Sequence, residues 1–144
     1  MKTTAIILLA IILTLVGMGF LPNVAAVNTP PDGGYSGGNT AEGQSALLTL
    51  GTGTYNTAVG FFSLLSNVEG TFNNAIGAGS LLVNTADENT ATGAGALLSN
   101  TIDAQNTANG AFALFSNTEG AFNAANGDQA LFSNTTGNGN TADG

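Results

Sequence analysis

The chain has no cysteine, histidine, arginine or tryptophan, and Lys2 is its only basic residue. Each absence removes a class of function. Without cysteine there is no disulfide framework and no thiolate metal site. Without histidine a Ser-His-Asp arrangement cannot form, and without further lysine or arginine most acid–base and nucleophilic devices go as well. Nine carboxylates against one cation give a formal net charge of −8. Such a chain cannot neutralise phosphates, so nucleic acid is excluded as a partner and anionic lipid surfaces are disfavoured. A pair of carboxylates could still hydrolyse glycosides. No acidic pair repeats a cleft-like setting, however, so no catalysis is expected.

What is present falls into three segments. The start reads as a signal peptide, 1–26. Met1 and Lys2 form a positive n-region and 5–20 an apolar stretch. Val24 and Ala26 are placed for cleavage after Ala26. This implies a secreted or cell-surface protein, with no membrane insertion once the segment is removed. The stretch 27–38, VNTPPDGGYSGG, has adjacent prolines and four glycines and reads as a spacer. From Asn39 to the end of the sequence, 39–144, one pattern repeats: six full units and the start of a seventh.

Each unit opens Asn-x-Ala-x-Gly and is 17 residues long, except the third, which has 16. Numbering a unit from its Asn, position 3 is always Ala, position 5 always Gly and position 9 always Leu. Position 10 is Leu or Phe, and position 12 is Asn in five of the six full units. Position 4 varies freely, through Glu42, Val59, Ile76, Thr92, Asn109, Asn126 and Asp143. Invariant tiny residues alternating with a variable one predict a strand with positions 3 and 5 facing a narrow interior. The Asn files at positions 1 and 12 predict corners where Asn adopts left-handed geometry and its amide bonds the same Asn one coil away. The fold expected is a parallel β-solenoid, or β-roll, of 17-residue coils. Six coils about 4.8 Å apart make a rod roughly 29 Å long.

Positions 6 to 12 admit two readings. A second strand gives a flattened two-strand coil. A short helical turn gives a curved α/β solenoid, favoured by the scarcity of β-branched residues there but opposed by spacing. Packed helices need about 8–10 Å between axes, whereas stacked strands need about 4.8 Å. The strand reading is preferred, and it carries a consequence. Position 9 would then fill the core, while Leu48, Leu65, Leu82, Leu98, Phe115 and Phe132 at position 10 form an external apolar stripe. Such a stripe should be covered by sister chains, making a homo-oligomer.

The runs 56–60, NTAVG, and 63–67, SLLSN, resemble the NTAxGxxALxSNTxG repeats of bacterial exported and phage tail-fibre-like proteins. More distantly, the units are similar to the head repeats of trimeric autotransporter adhesins. The resemblance covers 39–144 and implies a trimer of β-rolls contacting host or matrix surfaces. The function expected is therefore an exported structural or surface-interaction module, adhesin-like or fibre-like.

Two further patterns bear on ligands. Glu69, Asp87, Glu88, Asp103 and Glu119 fall on one corner of successive coils, where stacked carboxylates could hold calcium. No calcium-loop spacing is present, and a solvated acidic turn explains the same residues. Thr40, Thr57, Thr90, Thr107 and Thr141 form a position-2 file of the kind that can order water on an ice-binding solenoid. A β-compatible, hydrogen-bonding threonine ladder is the commoner explanation, and the varied position 4 beside it spoils a flat face. The pairs Phe62 with Phe72 and Phe112 with Phe122 are expected to pack as ladders.

Overall fold

The computed structural model describes residues 35–144; the predicted signal peptide and most of the predicted spacer lie outside them. Seven three-residue strands follow one another: β1 Thr40–Glu42, β2 Thr57–Val59, β3 Asn74–Ile76, β4 Thr90–Thr92, β5 Thr107–Asn109, β6 Ala124–Asn126 and β7 Thr141–Asp143. They form one parallel sheet in sequence order, so each strand lies beside the same strand of the next coil. Ala41 pairs with Ala58, Ala58 with Ala75, and so on to Ala142. The chain is a parallel β-solenoid.

The alternation that predicted the strand also sets its register. Ala at position 3 is buried in β1 to β6 while position 4 is exposed, so a one-residue slip would drive Glu42 or Asp143 into the core. The glycine at position 5 is needed for closeness. Gly60 has φ of 130°, and a Cβ placed there would stand 2.7 Å from the carbonyl oxygen of Gly77 in the next coil. Only glycine tolerates both the backbone angle and that approach.

The second half of the coil is neither of the predicted alternatives. No second strand forms over positions 6 to 12, and no helix occurs among the described residues. The segment is a chain of tight turns, and its backbone flips in direction. Position 9 is left-handed in all six coils, with φ between 48° and 52°. Position 7 is left-handed too, whether it holds Ser45, Phe62, Gly79 or Gln129. The flips send successive N–H groups to different partners. Phe62 N donates back to Gln44 O of the preceding coil at 3.0 Å, and Leu64 N donates forward to Ser80 O at 3.0 Å. Between them Ser63 N closes a turn onto Gly60 O at 3.3 Å. A helix would spend these donors within one coil and hold the coils too far apart for the sheet. A plain strand would not turn the chain back to β in so few residues. Alternating left-handed residues meet both demands.

The core is correspondingly thin. Ala at position 3, Ala or Ser at position 8 and Leu at position 9 fill it; Leu64, Leu81, Leu97 and Leu114 are completely enclosed. Asn files close it at both ends. At position 1, Asn56 N donates to Asn39 Oδ1 at 2.8 Å, and the same bond recurs up to Asn140 and Asn123 at 2.9 Å. At position 12, Asn100 Nδ2 reaches Asn84 Oδ1 at 2.8 Å and Asn117 Nδ2 reaches Asn100 Oδ1 at 2.9 Å. The amide ladders are therefore as expected, but the left-handed geometry is not. No described Asn has a positive φ; the left-handed residues other than glycine sit at positions 7, 9 and 17. The Asn side chains are spent on the ladder, and the turning is done by their neighbours.

Residues 35–38, the end of the stretch read as a spacer, continue the solenoid. Gly38 has φ of 71°, like position 17 of later coils, and Gly37 O accepts from Tyr55 N at 2.8 Å. Asn39 Nδ2 donates to Ser36 O at 2.7 Å.

Candidate functional surface

Among the described residues the candidate sites are files of side chains running along the outside of the rod. The acidic corner is looser than its spacing implied. Ala86 O accepts from Asn84 Nδ2 and Asn73 Nδ2, as Gly70 O accepts from Asn67 Nδ2 and Asn56 Nδ2. The residue missing from the 16-residue coil is thus position 14, directly before Ala86. Asp87 then falls at position 16 and Glu88 at position 17, beside Glu69 and Glu119 at position 14 and Asp103 at position 15. The five predicted ligands occupy four different files. Among the described residues no three carboxylates come together to hold a metal ion.

Two of these acids have a use within the rod. Asp87 Oδ1 accepts from Thr71 N at 2.7 Å and from Thr71 Oγ1 at 3.1 Å, tying one coil to the next. Glu88 Oε2 accepts from Gln105 Nε2 at 2.9 Å, again one coil on. Asp103 contributes its backbone carbonyl, which receives Asn100 Nδ2 and Asn89 Nδ2. Glu69 and Glu119 are exposed.

A threonine file that sequence reasoning passed over lies next to this corner, at position 13. The hydroxyls of Thr85, Thr101 and Thr118 each donate to the carbonyl of the same position in the next coil, at 2.9, 2.9 and 3.2 Å. The signal was the sequence Asn-Thr at positions 12 and 13 of four successive coils, overshadowed by the more regular Asn-Thr at positions 1 and 2. The position-2 file itself faces outward beside the variable position 4. At the C-terminal end of the described residues that neighbour becomes an amide ladder, Asn109 to Asn126 to Asp143 at 3.1 Å each.

Aromatic ladders form along single files and not between positions 7 and 17 of one coil. Phe62 does not pair with Phe72, nor Phe112 with Phe122. Position 17 projects alone: Tyr55 and Phe72 stack at 5.2 Å between centroids and 10° between planes, and both are well exposed. Phe62 lies against Phe61 at 3.8 Å. Phe112 meets Phe115 edge-on at 5.7 Å, and Phe115 stacks flat on Phe132 at 5.1 Å. Left-handed backbone at positions 7 and 17 points those two files to different parts of the surface.

The inside–outside assignment of the two leucine files holds. Leu64 is 0% exposed, whereas Leu48 next to Leu47 is 63% exposed and no position-10 side chain is buried. A position-10 stripe does run along the rod, although a turn and not a strand puts it there.

No family model, curated protein or solved structure matches the chain. No helix among the described residues is long and apolar enough to cross a membrane.

Proposed function

We propose that the chain is an exported, non-catalytic rod whose outer files make contact with surfaces, in a fibre-like or adhesin-like role. One observation carries this reading. The inner positions 1, 3 and 9 are the same residue coil after coil, while position 4 on the same strands runs through Glu, Val, Ile, Thr, Asn, Asn and Asp. An unvarying frame with a varied outside suits a scaffold that presents side chains. It does not suit a device that needs several groups converging on one reacting atom. The resemblance to exported fibre-like repeats points the same way, and the predicted signal peptide supplies the route out of the cell.

Two measurements test the reading. Mass spectrometry of the product recovered outside the producing cell should find Val27 at the N-terminus. Beads coated with the chain should attach to glycan- or matrix-coated surfaces, and deleting coil 89–105 should shorten the rod by about 4.8 Å and weaken attachment without unfolding it. Coated beads that attach no better than bare ones would remove the surface-contact role.

A further inference from the structure

The acids are distributed unevenly around the coil. Those of 39–144 are Glu42, Glu69, Asp87, Glu88, Asp103, Glu119, Asp128 and Asp143, and they fall at positions 4, 6 and 14 to 17. Positions 7 to 13 hold no charged residue in any of the six coils. Within that uncharged arc, position 10 of each coil stands outside the core, and position 7 lies beside it. A Cβ on Gly95 would stand 3.6 Å from Phe115 and 2.9 Å from Phe112, and one on Gly79 would stand 3.7 Å from Leu98. The position-10 file is Leu or Phe in every coil from Leu48 to Phe132, and with Phe62, Gly79, Gly95 and Phe112 beside it makes one uncharged face along the rod, flanked at its ends by Ser45 and Gln129.

We propose that this face is an interface between copies of the chain. Three features select a second copy as its occupant. The face repeats at the coil rise of about 4.8 Å, and a second rod matches that period ridge for furrow along its whole length. Like-charged chains can approach here without bringing carboxylates together, because every acid of the coils lies on other files. An anionic lipid surface would be repelled by the same acids and would find no cation among residues 35–144 to hold it. A rod roughly 29 Å long offers a narrow contact, well below the roughly 800 Å² per partner of a standard interface, so the association is weak and concentration-dependent. The inference rests on the geometry of the face and not on the surface-contact reading; either can fail alone.

Sedimentation velocity on the purified chain, from about 10 to about 500 µM, reads the association directly. The wild type should sediment faster as concentration rises. The double variant Leu98→Gln with Phe112→Gln should weaken association at least about tenfold. Gln is tolerated at position 7, since Gln129 already occupies it at φ 58°. Circular dichroism and melting establish that the variant is folded. A control pair on the position-17 file, Phe72→Gln with Phe122→Gln, should associate like the wild type, and this comparison cancels any contribution from the apolar residues 5–20. Should the double variant fail to fold, Leu98→Gln alone is read against Phe122→Gln alone. A wild type that stays monomeric throughout, or face and control variants that behave alike, would overturn the proposal.

Discussion

Leu97 offers a test of both the core and the unusual backbone. Its side chain is fully enclosed and its φ is 51°. Truncation to Ala removes three buried carbons and leaves a cavity in a core one leucine wide, at a cost of about 2–5 kcal/mol. The informative step is the next one, Ala to Gly at the same site. In ordinary backbone it loses one buried carbon, about 0.8 kcal/mol, and adds glycine's freedom in the unfolded chain, about 0.5–1 kcal/mol. At position 9 the same step also releases the clash of Cβ with a left-handed backbone, about 1–2 kcal/mol. The terms cancel, so Leu97→Gly should be within about 0.5 kcal/mol of Leu97→Ala.

Ala91 is the control. It is equally enclosed but sits in β4 without a positive φ, so Ala91→Gly should cost the full amount, roughly 1.5 kcal/mol. Urea unfolding followed by circular dichroism measures all three. Exposed Thr92→Ala gives the baseline and should fall within about 0.5 kcal/mol of wild type. If the Ala-to-Gly step at 97 costs as much as at 91, the left-handed residues carry no strain. If Leu97→Ala is as harmless as Thr92→Ala, the assignment of inside and outside is wrong.

Two other perturbations address the ladders and the acids. Asn100→Ala breaks the position-12 ladder in its middle, removing bonds to Asn84, Asn117 and the Asp103 carbonyl, and should cost about 2–4 kcal/mol in urea unfolding; Asn134→Ala, at the last rung, should cost less. Asp87→Ala deletes the carboxylate that receives Thr71 and should cost about 1 kcal/mol, while Asp87→Asn, which keeps an acceptor oxygen, should be near neutral. Calcium and magnesium at equal ionic strength should shift the melting temperature of the wild type equally; a calcium-specific rise lost in Asp103→Asn would make the acidic corner a cation site after all.

The strand and its neighbours were legible because their constraint is steric and falls on the same residue in every coil. Gly at position 5 cannot be replaced without a collision between coils, Ala at position 3 is enclosed in β1 to β6, and the register follows from them. Asn at positions 1 and 12 was legible for a similar reason: a buried amide needs a partner, and an identical coil supplies one at a fixed distance. The acidic corner was harder to place, because the sequence does not show which residue the 16-residue coil lacks. Hydrogen bonds show that the gap lies at position 14, which moves Asp87 and Glu88 onto other files. The break is visible in the ladder as well, where Asn67 Oδ1 receives no hydrogen bond. Aromatic ladders do form, Tyr55 on Phe72 and Phe115 on Phe132, but each runs along a single file.

The left-handed residues were hidden for a deeper reason. Local preference forbids them: Leu, Phe, Gln and Glu are poor choices at φ near +55°, and a turn would normally recruit Gly or Asn. Gly79 and Gly95 at position 7 hint at the conformation, but they share their file with Phe62 and Phe112 and so read as small-for-large substitutions. Position 9 gives no hint at all, since it is Leu in all six coils. What overrides preference there is the stack. At about 1–2 kcal/mol each, a left-handed Leu is affordable only if the conformation recovers more elsewhere. Complete burial of the side chain contributes about 1.5–3 kcal/mol. The flip also lets Leu97 N donate forward to Ala113 O at 3.0 Å while Gly95 N donates back to Ala78 O at 2.9 Å. Both returns need a neighbouring coil on each side, so the strain is tolerable only inside the array. An isolated unit would have no reason to adopt it, which ties the shape of each coil to the presence of the next.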